Sequence, residues 1–287
     1  MSLMSIYRAF VILISVVFIA SACTEPIDLE LDSTYARLAV EAYVNTDSLK
    51  HRVTLSITGD YFSNEASPRV SDAFVELSFG DEIMQLMEND TIPGLYEAPY
   101  AFRGVIGTTY HLDISQLDVN HDGVEDQYHA SSTMPGGTEL DAIELRYYPT
   151  GVGSGYAVFM YAFHPPEQRD WFGFKLIKNG VLLTNSLSEY GILSDDIFDD
   201  GYFPGLPIGF LSDDESDQAV YPGDTVTLEL NCIEEAYYNF VSGAQLEIAG
   251  YNPLFSGPSA NVASNISNGA FGIFAAYSIL RSSVIAQ

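Results

Sequence analysis

From Arg37 onward apolar and polar residues take turns, and this period of two constrains the fold more than any other feature of the chain. Successive side chains of a strand point to opposite faces, so such alternation marks strands with one face buried. RLAVEAYV and HRVTLSI are two such runs, and AFVELSF and EIMQLM are joined by Gly80-Asp81, a tight hairpin turn. GLYEAPYAFRG, TTYHLDISQL and DQYHASSTMP continue the series. Short strands at this spacing predict an immunoglobulin-like antiparallel β-sandwich over residues 37–135. The stretch MPGGT, Met134 to Thr138, then breaks the pattern and reads as a domain boundary.

A second β-rich domain is expected over 136–287. TELDAIELRYY, YAVFMYAF, WFGFKLI, TVTLELNCI and AFGIFAAYSIL read as strands, with a hairpin at Asn179-Gly180. Residues 185–224 are rich in Gly, Pro and Asp and read as a long irregular stretch, either functional or mobile. One helix is predicted near 234–247. Glu234 and Glu235 occupy its first turn, where the helix dipole favours negative charge, and Ala236, Tyr237, Phe240, Val241 and Ala244 line one face.

Residues 1–22 have a different logic. Arg8 precedes an uncharged apolar run from Ala9 to Ala20, and Ala20-Ser21-Ala22 stands directly before Cys23. This is the layout of a secretory signal peptide, and its end looks like a lipobox, which would make Cys23 the lipidated first residue of the mature protein. The apolar run is shorter than the roughly 20 residues a membrane-spanning helix needs. An ordinary secretory signal is the competing reading, and the position of Cys23 at the point of cleavage favours lipid. Residues 23–36 then form an acidic tether, with Glu25, Asp28, Glu30 and Asp32. Beyond Cys23, no stretch is apolar for long enough to span a bilayer, so the expected contact with the membrane is through lipid alone.

Removing Arg8 with the signal leaves 10 basic against 39 acidic side chains, from 11 and 39 in the whole chain. Phosphate recognition needs clustered Lys and Arg, so nucleic acid is excluded as a partner. With Cys23 committed to lipid, Cys232 has no disulfide partner, and its place within TVTLELNCI marks it as a small buried hydrophobe.

The sharpest local motif is DVNHDGVED. Asp118, Asn120 and Asp122 take alternate positions, Gly123 follows, the carbonyl of Val124 comes next, and Asp126 closes the series. Calcium loops use this order of oxygen ligands and this glycine. The bidentate Glu of a full twelve-residue loop is missing, since His129 holds that place, and a polar hairpin tip is the alternative. His111, His121 and His129 bracket the loop at irregular spacing with no Cys among them, which argues against zinc there. The acidic segment with Asp195, Asp196, Asp199 and Asp200 offers a surface for cations or a basic partner, or is simply solvated. Tyr61 and Phe62, in a polar-aromatic loop, are the candidate apolar anchors of a binding surface, with Tyr202 and Phe203 as weaker ones.

Catalytic signatures are missing. Gly153-Ser154-Gly155 lacks the spacing of a nucleophile elbow, and neither a His-Glu-x-x-His motif nor a phosphate-binding glycine loop occurs. A glycan hydrolase has only scattered carboxylates in its favour, so the chain is not expected to be an enzyme.

Several segments resemble one Bacteroidota lipoprotein family, the domain of unknown function 4249. They are CTEPIDLEL, LAVEAYVNTD, HRVTLSITGDYFSNEASPRVSDAFVELSFGD, LYEAPYAFRGVIGTTYHLDI, CIEEAYYNF and NPLFSGPSANVASNISNGAFGIFAAYS. The resemblance implies an outer-membrane lipoprotein associated with a SusC-like TonB-dependent transporter, and it brings no catalytic residue with it. Two expectations follow: an accessory or substrate-capture subunit of such a transporter, or a free-standing structural or adhesive lipoprotein with a calcium-stabilised loop. The tether's acids are interrupted by Pro26 and Ile27, which leaves open whether the cell-surface or the periplasmic face is occupied.

Overall fold

The computed structural model describes residues 36–58, 66–149, 153–165, 169–196, 201–249 and 262–287. The alternating runs form strands, and their apolar positions face inward. In β1 (Leu38–Asn45) Leu38, Val40, Ala42 and Val44 are buried while Glu41 is exposed. β2 (Arg52–Ile57), β3 (Phe74–Phe79), β4 (Glu82–Asn89), β5 (Ile92–Glu97), β6 (Thr109–Leu117) and β7 (Asp126–Thr133) alternate likewise, with Ile83, Met87 and Ile92 as exposed apolar exceptions. Full burial of an aliphatic side chain contributes about 1.5–3 kcal/mol, so a one-residue slip would expose a whole face. The hairpin at Gly80-Asp81 forms as expected, with Phe79 opposite Glu82 and Gly80 at φ +56°.

β1, β2 and β5 share one core with β3, β6 and β7. They nonetheless belong to one continuous 12-stranded sheet, which passes through β4 from one layer to the other. The register shifts between Glu88 and Asn89 of β4, where the sheet turns.

The second part is also a sandwich. β8 (Glu139–Tyr148), β9 (Gly155–Phe163) and β13 (Tyr202–Ser212) form a 3-stranded sheet in the order β13-β9-β8. It packs on β10 (Trp171–Lys178) and β14 (Thr225–Ile233) through Val158, Met160, Phe172, Phe203, Leu228 and their neighbours. β11 (Val181–Leu182) and β12 (Gly191–Ser194) both pair with β10. The helix α1 spans Glu235–Ile248 and covers the opposite face, with Tyr237 and Val241 buried. Glu234 stands at its N-cap position and bonds the backbone N–H of Thr133 (2.9 Å) and the hydroxyl of Ser132, which ties the helix to the end of β7.

β13 lies inside the stretch read from sequence as irregular. Its run YFPGLPIGFLS has Pro and Gly at alternate-looking places, which hides a strand from any pattern search. It is an edge strand, where a missing proline N–H is tolerated, and two register shifts, at Pro204/Leu206 and Pro207/Gly209, absorb the irregularity.

Residues 36–287 form one compact unit, within which Met134–Thr138 leads from the first sandwich to the second. The last strand, β15 (Phe271–Ile285), accounts for this. Its first half, Phe271–Tyr277, pairs parallel with β1, and its second half, Ser278–Ile285, pairs antiparallel with β14. Within residues 37–135 the strands pair antiparallel, as expected, while β15 adds a parallel neighbour to β1 and brings Phe274 and Ala276 into that core. Gly272, at φ +102°, lies so close to Val40 that a Cβ would overlap that residue's carbonyl oxygen.

Candidate functional site

The tip between β6 and β7 holds the DVNHDGVED loop. Asp118 accepts the N–H of Asp122 on Oδ1 (3.1 Å) and that of Gly123 on Oδ2 (2.9 Å). Asn120 Oδ1 accepts the N–H of Asp122 (3.0 Å), Asp122 Oδ1 that of Val124 (2.8 Å), and Asp126 Oδ2 that of Val119 (3.0 Å). His121 and Gly123 take the left-handed turns this wrapping needs, at φ +58° and +85°. Val119 anchors the loop in the core, while Asn120, Asp122 and Val124 are exposed. The side-chain oxygens of Asp118, Asn120 and Asp122 thus wrap the loop by accepting its backbone N–H groups, with Gly123 at the sharp turn. Burial, and then the charge of Asp126, push the hydroxyl of Tyr128 below the tip up to about 12. The histidines do not join the loop's acids as a set: His129 pairs with Asp113, and His111 is exposed beside Ser131 on the neighbouring strand.

The acidic segment divides. Asp195 is buried and faces His164, whereas Asp196 is exposed and pairs with Arg169. The sequence pattern puts both on one partner-binding surface; in the structure one is buried and the other exposed, just past the end of β12. Asp199 and Asp200 lie outside the described residues, as do Tyr61, Phe62 and Cys23. Phe203 is wholly buried, against His164 and Phe172, so it belongs to the core. Tyr202 is partly exposed, stacks on Phe163 at 4.4 Å and donates to Asp141 at 3.4 Å. Farther along, Asp214, Glu215 and Asp217 remain exposed in the turn after β13.

Two open grooves flank α1. One, of about 520 Å³, runs past Glu41, Tyr43, Thr54, Arg69 and Phe240. The other, of about 480 Å³, is lined by Thr133, Arg169, Asp170, Trp171, Glu234 and Asn265. Under the first lies a group of rings, Tyr43, Tyr190, Tyr237 and Tyr277, at centroid distances of 5.7–6.2 Å. Burial, joined by the charge of Glu41, holds the Tyr43 hydroxyl well above its ordinary range. Neither these rings nor His164 and Asp170 form a sequence motif, because they come together only through strand pairing.

One carboxylate of the small sheet, that of Glu144, is engaged in an ion pair. Glu144 accepts from Arg146 (2.7 Å) and Tyr161 (2.7 Å), which hold it down to about 2. Cys232 is buried, and burial pushes its thiol up, as suits a packing residue and not a nucleophile. Among the described residues no helix is long and apolar enough to cross a membrane.

Fold and surface together define a mainly β, sandwich-like protein with one covering helix, whose accessible features are loops and grooves. The chain belongs to the family described as Domain of unknown function (DUF4249), whose model matches residues 24–283. No curated protein matches it.

Proposed function

We propose that this protein is a lipid-anchored outer-membrane lipoprotein that acts as an accessory or substrate-capture subunit of a SusC-like TonB-dependent transporter. The observation that carries the reading is the Ala20-Ser21-Ala22-Cys23 sequence behind an uncharged apolar run. An anchor there confines the body to the membrane plane, where tethering raises effective concentration and a modest intrinsic affinity suffices. The exposed acids Asp196, Asp214, Glu215 and Asp217 are suited to steering the body toward basic loops of a partner. Cross-linking in intact membranes is expected to capture a barrel-sized transporter. Neutralising Asp196, Asp214 and Asp217 to Asn should lower the yield several-fold, and Cys23→Ala should abolish both fatty-acid labelling and capture. A folded, labelled protein that captures no transporter overturns the reading.

A second reading, a free-standing surface lipoprotein with a calcium-stabilised loop, is favoured by the Asp118–Asp126 wrapping. A ligand that binds only the native state raises the melting temperature by mass action. Millimolar calcium is expected to stabilise the wild type relative to a chelator control, and Asp122→Ala to lose that response. An unchanged wild-type melting temperature leaves the loop a hairpin tip.

A further inference from the structure

His164, Asp170 and Asp195 stand at the ends of three different strands, β9, β10 and β12, and one ligand atom from each falls within 4.8 Å of the others, with all three residues buried. We propose that they form a site for a divalent transition metal, with zinc as its best fit.

The backbone assembles the three. Antiparallel pairing of β10 with β12 sets Trp171 opposite Ser194, and the next N–H, that of Asp195, donates to the carbonyl of Asp170 at 3.1 Å. The two carboxylates are thereby cross-strand neighbours, an arrangement that is destabilising for like charges unless a cation lies between them. His164 arrives from the other sheet, directly after β9, with its N–H on the carbonyl of Gly201 (3.0 Å) and its ring stacked on Phe203. Its side chain is 1% exposed, yet neither ring nitrogen makes a hydrogen bond. Nδ1 stands 3.4 Å from Asp195 Oδ2, within ion-pair range but without hydrogen-bond geometry.

A metal accounts for these facts together. A histidinium placed here would leave two buried N–H groups without acceptors, and a neutral ring would leave an N–H and a lone pair. Ligation uses the lone pair, and the charge of a divalent ion balances two carboxylates. The spacing agrees as well: two ligand atoms each about 2.1 Å from a tetrahedral zinc lie about 3.4 Å apart. One imidazole and two carboxylates leave one tetrahedral position for water, and Asp170 also lines the 480 Å³ groove, which gives the ion a way in. Bound there, the metal fastens the end of the β10–β12 ladder to the end of β9, joining the two layers of the second sandwich. The inference does not rest on the transporter reading.

The test uses the full chain, purified in detergent without a polyhistidine tag and stripped with chelator. Titration with zinc is expected to reach one tight equivalent and to raise the melting temperature, and cobalt to give the intense visible bands of a tetrahedral site. His164→Phe, which keeps the ring on Phe203, and Asp195→Asn should lose both signals. Replacing His111, His121 and His129 together by Gln, or Asp122 by Ala, should preserve them. Because the metal readouts are made on the wild type, they stand even if a variant does not fold. A wild type that takes up no stoichiometric zinc or cobalt overturns the site, and so does binding that survives His164→Phe or disappears with the surface histidines.

Discussion

His51 shows how one residue can tie stability to pH. It is buried edge-on to Phe102, at 4.4 Å between centroids, and its neutral Nε2–H donates to the Phe102 carbonyl at 3.1 Å. Burial lowers its pKa to about 4 from the ordinary 6.5. Between those values the unfolded chain binds a proton that the folded chain refuses. The stabilising contribution is therefore complete above pH 6.5 and drains away as pH falls toward 4, by about 3 kcal/mol in all. Urea midpoints between pH 7 and 4 are expected to fall less steeply for His51→Gln, which keeps the donor but not the titration. Parallel curves would disprove this account. The sequence gives no sign of His51's role, because His51, His111 and His164 look alike until pairing decides which of them are enclosed.

At the scale of elements, β15 has a free edge beside its first half, and side chains stand in for a strand there. Asn265 donates from Nδ2 to the carbonyl of Phe274 (2.7 Å) and accepts that residue's N–H on Oδ1 (2.9 Å). The hydroxyl of Ser132 accepts the N–H of Ala276 at 2.8 Å. Asn265→Ala would strand both backbone groups of Phe274 and is expected to cost about 2–4 kcal/mol, read from equilibrium denaturation. A loss below about 0.5 kcal/mol would mean that water takes over both bonds. What could be read from the sequence at this scale follows the same physics. Asn179-Gly180 announces its hairpin because both residues must adopt positive φ, and they do, at +50° and +82°. The helix was legible too, shifted by one residue to Glu235–Ile248. β13 and the parallel pairing of β15 with β1 were not, since edge prolines erase alternation and nothing local specifies a partner more than 200 positions away. The His164 cluster, assembled where β12 pairs with β10 beside the end of β9, was equally invisible, because no fixed spacing announces it.

For the whole molecule, one strand serving two sandwiches couples them. Arg281 of β15 reinforces the coupling by binding Asp47 (2.6 Å), just after β1, and Glu229 (2.6 Å) in β14, a carboxylate that Lys175 also meets at 3.2 Å. Calorimetry is expected to show one cooperative transition for residues 36–287, with calorimetric and van't Hoff enthalpies equal. Two separable transitions would make Met134–Thr138 a boundary between independently folding domains.

The parallel seam between β1 and β15 also sets an order of events. Val40 and Gly272 are neighbours in the sheet, so the first sandwich cannot close until β15 has been made. Loop closure across such a separation is slow, and the unpaired edge of β1 stays open to other strands while it waits. Its own topology thus keeps such a chain from folding early. A chain cut short at Ala270 is accordingly expected to aggregate, and not to yield a soluble N-terminal half.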